Sequence, residues 1–201
     1  MKRLFSELRG AIVATLVLAV VCCGIYPLVV FGIGQVLFRD KANGSLIVDS
    51  SGIVRGSELL AQQFTADKYF HPRPSAAGNG YDATSSGGSN LGPTSKKLSD
   101  AIAQNIADYR AQNGLGTNDP VPADAVTESA SGLDPHISVR NAELQAPRVA
   151  KARGLAPDKV LALVSRNTDG PDLGILGEAG VNVLKVNLAL DKLGAGATAA
   201  R

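Results

Sequence analysis

The chain has 201 residues, 45% of them hydrophobic, with 20 Lys and Arg against 18 Asp and Glu. Five of those cations and two of those acids lie at or before residue 41, leaving 15 against 16 for everything after it. This near-neutral remainder has no basic run and so lacks a nucleic-acid footprint, and with both cysteines at Cys22 and Cys23 it holds no disulfide and no thiolate metal site.

Residues 1–10 form a short basic flank, with Lys2, Arg3 and Arg9 against Glu7. Residues 11–38 then carry no charge, and only Thr15 and Gln35 are clearly polar. A bilayer core takes about 20 apolar residues in a helix, so this run predicts a single transmembrane helix. It is too long for the h-region of a cleaved signal peptide and has no small-x-small site after it. The short basic flank predicts a cytoplasmic N-terminus, which would put the rest of the chain outside the cytoplasm. Ala11, Thr15, Ala19 and Cys23 recur every four residues. Small residues at that spacing are suited to packing against a partner helix in lipid. Pro27 is expected to kink the span.

Residues 42–193 read as one mixed α/β extracytoplasmic domain with an aliphatic core, followed by a flexible tail at 194–201. Leu46–Val48 and Ile53–Val54 around Ser50-Ser51-Gly52 predict a hairpin. Ser57 is placed to cap a short helix through Gln63. Residues 71–93 are dense in Gly, Pro, Ser and Asn and predict a long loop of the kind that is functional or disordered. A helix over 95–113 follows, with Leu98, Ile102, Ile106 and Tyr109 on one face and Gly114 as its stop. Residues 131–137 read as another loop. A helix from Ser138 is bent or restarted at Pro147, and Pro157 opens the next. Val181–Leu184 reads as a buried strand, and Asn187 as the cap of a last short helix, 188–193.

Three constellations invite a catalytic reading. Gly87–Thr94 has the glycine spacing of a phosphate loop, but Pro93 stands where the lysine should be. Ser131, Asp134 and His136 supply the residue types of a hydrolase triad, without the Gly-x-Ser-x-Gly elbow. His71 and His136 have no paired metal-ligand spacing. The residues themselves predict neither an enzyme nor a metal site.

As a set, five ordered segments carry a resemblance: Tyr69–Ala76 (YFHPRPSA), Ser86–Thr94 (SGGSNLGPT), Ser131–Ser138 (SGLDPHIS), Gln145–Arg153 (QAPRVAKAR) and Val181–Asp191 (VNVLKVNLALD). The chain resembles the C subunit of the Kdp-type potassium-transporting ATPase from the span to about Leu193. The resemblance implies a single-pass accessory subunit of the bacterial inner membrane, needed for assembly of an ATP-driven potassium uptake complex. Its implied partners are a channel-like potassium-selecting subunit, a P-type ATPase subunit, a small stabilising peptide and membrane lipid. It implies an outer domain over the ion entrance, no firmly bound cofactor, and potassium as the ion the complex transports. It also implies that the subunit raises the ATP affinity of the hydrolysing subunit, with Gln145 in nucleotide contact and Arg148, Ser131 and Gly132 as further candidates. Arg73, Ser89, Asn90, Asp134 and His136 are the expected loop and partner contacts. An outside domain would keep Gln145 from cytoplasmic ATP. Gln145 and Arg148 could equally brace the helix that Pro147 interrupts. A membrane-tethered nucleotide-binding regulator or hydrolase remains the alternative reading.

Overall fold

The computed structural model describes residues 2–49 and 51–199, so the hairpin residue Ser50 and the last two tail residues, Ala200 and Arg201, lie outside the described residues. The chain divides into two compact units, residues 1–47 and 48–201. The first unit is helical: α1 (Lys2–Ala19), a π-helical segment (Val20–Ile25), α2 (Tyr26–Leu37) and the single turn α3 (Arg39–Ala42). Phe5–Leu37 forms one 33-residue stretch long and apolar enough to cross a membrane, none of it buried within the protein. The π segment stands just before Pro27. A proline ring clashes with the carbonyl four residues back, and widening the turn by one residue relieves that clash.

In the second unit most of the order comes after residue 95. The long loop runs into α4 (Lys96–Asn113), which ends at Gly114 in the left-handed region, as its sequence predicts. A single turn, α5 (Ala123–Val126), follows. The core is built on α6 (Val139–Arg153), α7 (Pro157–Arg166) and α8 (Val183–Ala199), packed with a three-stranded antiparallel sheet. That sheet contains β3 (His136–Ser138), β4 (Thr168–Asp169) and β5 (Gly180–Asn182); β1 (Leu46–Val48) and β2 (Val54–Ser57) form the other, two-stranded sheet. β5 is the central strand: Ile137 lies opposite Val181 on one side and Thr168 opposite Val181 on the other. Ile137 and Val181 meet Val149, Val160, Val186 and Leu190 in the core, and Phe70 joins them at 0% exposure. Burial of a side chain such as Phe70 is worth about 1.5–3 kcal/mol.

Several local expectations are corrected. Residues 131–137 are not all loop, because His136 and Ile137 pair with β5. The strand at 181–184 is shorter than expected. It stops at Asn182, whose Oδ1 accepts the Lys185 N–H and so starts α8 at Val183. Asn187 is therefore inside a helix and not at its cap. α8 also continues past Leu193 through Ala199. No helix forms after Ser57. Its hydroxyl accepts the Leu59 N–H in a local turn, and the Ala61 N–H goes to the distant Leu133 carbonyl, so no helical ladder is built. α6 runs through Pro147 without interruption. Pro147 and Glu143, whose carbonyl loses its partner, both lie on the exposed side of that helix, where water serves the freed carbonyl.

Candidate functional site

The side chains singled out on α6 converge on residues 67–71. Gln145 is 1% exposed. Its Oε1 accepts from the His71 backbone N–H at 2.8 Å and from Arg148 Nη2 at 2.7 Å. Its Nε2 donates to the His71 carbonyl at 3.1 Å and to Asn141 Oδ1 at 2.9 Å. A glutamine amide offers two donors and two acceptor positions, so its capacity is filled. One residue back, Asn187 of α8 grips Phe70 in the same way: Oδ1 accepts the N–H at 2.8 Å and Nδ2 donates to the carbonyl at 2.9 Å. Arg148 donates to the carbonyls of Asp67 (2.7 Å) and Tyr69 (3.0 Å), and Arg153 donates to that of Lys68 (2.6 Å). Five consecutive residues are thus held by side chains of two helices. The bonds that a neighbouring strand would supply come from amides and guanidinium groups instead.

This clamp has outer supports. Asn141 Oδ1 also accepts the Tyr109 hydroxyl at 2.8 Å, and its Nδ2 donates to Asp124 Oδ2 at 2.8 Å. Asp124 also accepts the backbone N–H and hydroxyl of Ser138, whose Oγ caps α6 by accepting the Asn141 N–H. Arg148 Nε reaches Asn113 Oδ1 at 3.0 Å. Asp191 accepts from both the Tyr69 hydroxyl and Arg153, and the Arg153 guanidinium lies 5.0 Å from the centre of the Tyr69 ring. Burial, with the nearby Arg148 charge, holds the His71 imidazole below its ordinary pKa. Burial likewise lowers that of Arg148 and raises that of Tyr109.

Beside the clamp is a cavity of about 220 Å³ lined by His71, Asn105, Asp108, Tyr109, Asn141 and Gln145 among others. Ligand pockets usually have volumes of about 300–1,000 Å³, so it suits waters or a very small polar guest better than a nucleotide. Arg148 lines a neighbouring groove of about 570 Å³ with Asp67, Lys151 and Pro147.

Ser131 and Gly132 are not in either lining; they fasten the long loop. The Ser131 carbonyl accepts from the Gly87 N–H and the Ser86 hydroxyl, and its own hydroxyl accepts the Leu133 N–H. The Gly132 carbonyl accepts the Ser75 hydroxyl at 2.6 Å, and Ser75 Oγ in turn accepts the N–H groups of Ala77 and Tyr81. The Tyr81 hydroxyl donates to the Arg73 carbonyl, and burial pushes its pKa up to about 12. Gly132 has φ 66°, and a Cβ there would lie 2.7 Å from the Gly87 carbonyl oxygen. The loop over 71–93 forms neither helix nor strand, as expected, yet it is tied down along its length.

The expected contact residues divide into two groups. Arg73 and Asp134 form a half-buried ion pair at 2.9 Å, and Asp134 also accepts the His136 N–H. Arg73 Nε is buried without a hydrogen-bond partner among the described residues. His136 Nε2 lies 3.0 Å from Asp169, not against Ser131, so the hydrolase triad is not assembled. Ser89 and Asn90 are exposed, with Asn90 in the left-handed region at φ 52°. Among the described residues no group of three or more His, Cys, Asp or Glu is placed to hold a metal ion.

The five segments that carry the resemblance therefore meet one another in the fold. The family model for the K+-transporting ATPase c chain (KdpC) matches residues 8–192. The chain belongs to this family. A "Potassium-transporting ATPase KdpC subunit" of Mycobacterium tuberculosis is 54% identical over 187 residues, covering 93% of this chain and 98% of the relative. The subunit of that name from Nitratidesulfovibrio vulgaris is 52% identical over 96% of this chain and 98% of its own length. That of Myxococcus xanthus is 50% identical over 94% and 89%. The matched residues include both the apolar span and the clamp.

Asn141, Asn187 and Asp124 were missed by sequence reasoning as members of the clamp. A signal for one was present: Asn141, Gln145 and Arg148 fall at i, i+4 and i+7, a polar line on the α6 face that also buries Ala142, Ala146 and Val149.

Proposed function

We propose that this KdpC-family chain is a non-catalytic accessory subunit that holds an ATP-driven potassium pump together. In this reading the span anchors it in the bacterial inner membrane with the N-terminus inside. The domain stands outside, over the ion entrance of a channel-like subunit, in a complex with the P-type ATPase subunit and a small stabilising peptide.

The carrying observation is where the second unit spends its groups. Most of its candidate functional polar side chains are taken up in internal bonds, while its three most exposed large apolar side chains, among the described residues, fall together on one loop. Between β4 and β5, Leu173, Ile175 and Leu176 are 90%, 82% and 58% exposed. A backbone bridge between Asp172 and Leu176 and a left-handed Leu173 (φ 53°) hold this loop in shape. Exposed apolar side chains grouped this closely mark contact surfaces.

The nucleotide effect implied by the resemblance is then indirect. Gln145 would influence ATP affinity by holding Tyr69–His71 on α6, and through that the shape the partners meet. Calorimetry of the full chain in detergent with millimolar ATP tests this point. Heat of binding that disappears in Gln145→Leu but persists in Asn187→Leu would establish direct contact and end the indirect reading. The assembly role is tested by co-purification: a complex that forms and transports normally without this chain would refute it.

A further inference from the structure

The register change in the first unit leaves the Cys22 carbonyl without a backbone donor. The Tyr26 N–H, which an α-helix would give to the Cys22 carbonyl, goes to the Val21 carbonyl. In the i→i+5 register of the π segment the Cys22 carbonyl would instead take the N–H of residue 27, which is proline and has none. Hydroxyl side chains three or four residues ahead often fill such a gap, but those positions are Ile25 and Tyr26. The tyrosine hydroxyl is at the far end of a ring and cannot turn back to its own helix.

Depth makes this gap costly. The midpoint of Phe5–Leu37 is Val21 and that of the uncharged run 11–38 falls at residues 24–25, so Cys22 lies near the centre of the span. The hydrocarbon core is about 30 Å thick, which leaves water and headgroups roughly 15 Å away on either side. In that medium each backbone polar group needs a partner from protein. The neighbourhood is also open. A Cβ built on Gly24 meets nothing within 4 Å, and Ala19 and Cys23 are small and exposed. In an i→i+5 turn Gly24, not Cys23, takes the place over Ala19, so the stripe Ala11, Thr15, Ala19 continues through a residue without a side chain.

We propose that the Cys22 carbonyl is a docking acceptor for a partner subunit's transmembrane helix, which carries a Ser, Thr or Asn side chain and donates a hydrogen bond to it at the bilayer midplane. Pro27 keeps the acceptor vacant, and the Ala/Gly stripe lets the donor helix come close. This rests on reading the chain as a membrane-spanning subunit of a pump complex.

Because Cys22 and Cys23 are the only cysteines, carbonyl-labelled [13C]cysteine in a Cys23→Ala background marks the Cys22 carbonyl alone. The infrared amide band of the full chain is then read in lipid bilayers by itself and again after reconstitution with unlabelled partner subunits. The expected result is a free-carbonyl band in the chain alone that moves to the hydrogen-bonded position in the complex. Pro27→Ala, which restores an N–H at residue 27, should show the bonded band in both states. It should also lower the yield of intact complex about threefold, the worth of one interhelical hydrogen bond in lipid. A bonded band in the wild-type chain alone overturns the proposal, since water, lipid or the chain itself then serves the carbonyl. A band that stays free in a complex that has formed overturns it while leaving the accessory-subunit reading intact. Failure of the wild-type chain to enter any complex overturns both.

Discussion

Replacing Gln145 by leucine keeps the volume near that of the amide and removes all four of its hydrogen bonds. Two of the stranded partners are the N–H and carbonyl of His71, and two are Asn141 Oδ1 and Arg148 Nη2. Asn141 Oδ1 keeps the Tyr109 hydroxyl, and Arg148 keeps three other bonds. The cost therefore falls mainly on the His71 peptide groups, at about 1–3 kcal/mol for each buried group left unpaired. The polar cavity beside Gln145 admits water to part of that site, so the expected loss is about 3 kcal/mol. Asn187→Leu strands the Phe70 N–H and carbonyl beside a ring that is fully buried, and Asn187 does not line that cavity. Its loss should equal or exceed that of Gln145→Leu. Against a total stability of about 5–15 kcal/mol, either change is large. Urea unfolding of the full chain in detergent, followed by far-ultraviolet circular dichroism, measures both. If Gln145→Leu stays within 1 kcal/mol of wild type while the assembled pump needs more ATP for half-maximal turnover, Gln145 is a ligand and not a clamp.

Further outcomes follow from the same geometry. The depressed His71 pKa means that the unfolded chain takes up a proton at His71 first as pH falls. Stability from this residue is present above the unfolded value of 6.5 and is lost as pH drops through the lower folded value, so His71→Gln should flatten the pH dependence of unfolding below 6.5. Gly132→Ala should cost about 3 kcal/mol or more, combining left-handed strain with contacts at 2.7 Å to Gly87 and 2.8 Å to Ala77. Gly154→Ala, with a similar φ of 64° and open space around the added methyl, should cost only about 1–2 kcal/mol, and equal midpoints for the two would remove the clash argument. Serine at Leu173, Ile175 and Leu176 together should change the melting of the isolated chain little, as exposed sites do, while reducing co-purification with partner subunits. An unaltered complex would show that this loop faces solvent there too.

What could be read from the sequence depended on whether the governing contacts were local. The apolar run was legible from length alone, and the end of α4 from Gly114. Pro157 marked the start of α7, because helix starts and stops are written in one or two residues. The strands β3 to β5 have only two or three residues each, too few for a period-two pattern to register. The start of α8 was misplaced because Val181–Leu184 is apolar on both sides of the boundary, and the decisive signal was the Asn182 side chain. The clamp was least legible. Gln145 and Arg148 stood out by their place in a motif, but their partners lie more than 70 residues earlier in the chain. Hydrogen bonds that join an amide side chain to a distant backbone have no sequence period.

The two units pose opposite problems in hydrogen bonding, and this bears on how such a subunit recognises its partners. In the second unit the backbone of residues 67–71 lacks a strand neighbour, and the chain supplies the missing donors and acceptors itself from α6 and α8. That segment is complete without a partner, and the most exposed large apolar side chains described in the unit lie at the β4–β5 loop. Contacts made there are governed by burial and fit, and they tolerate small shifts. In the first unit the apolar side chains already have lipid, which rewards them as well as a partner would. The specific demand proposed there is the Cys22 carbonyl. A hydrogen bond fixes register to within a fraction of a helical turn, whereas lipid-like packing does not. On this division the span would set the register of assembly, and the β4–β5 loop would supply adhesion. Pro27→Ala and the triple serine variant should then differ in kind. The first would yield complexes that form but are heterogeneous in cross-linking from Cys22 and Cys23, and the second would yield fewer complexes of unchanged geometry. Identical cross-linking patterns at equal yield in both variants would remove the distinction.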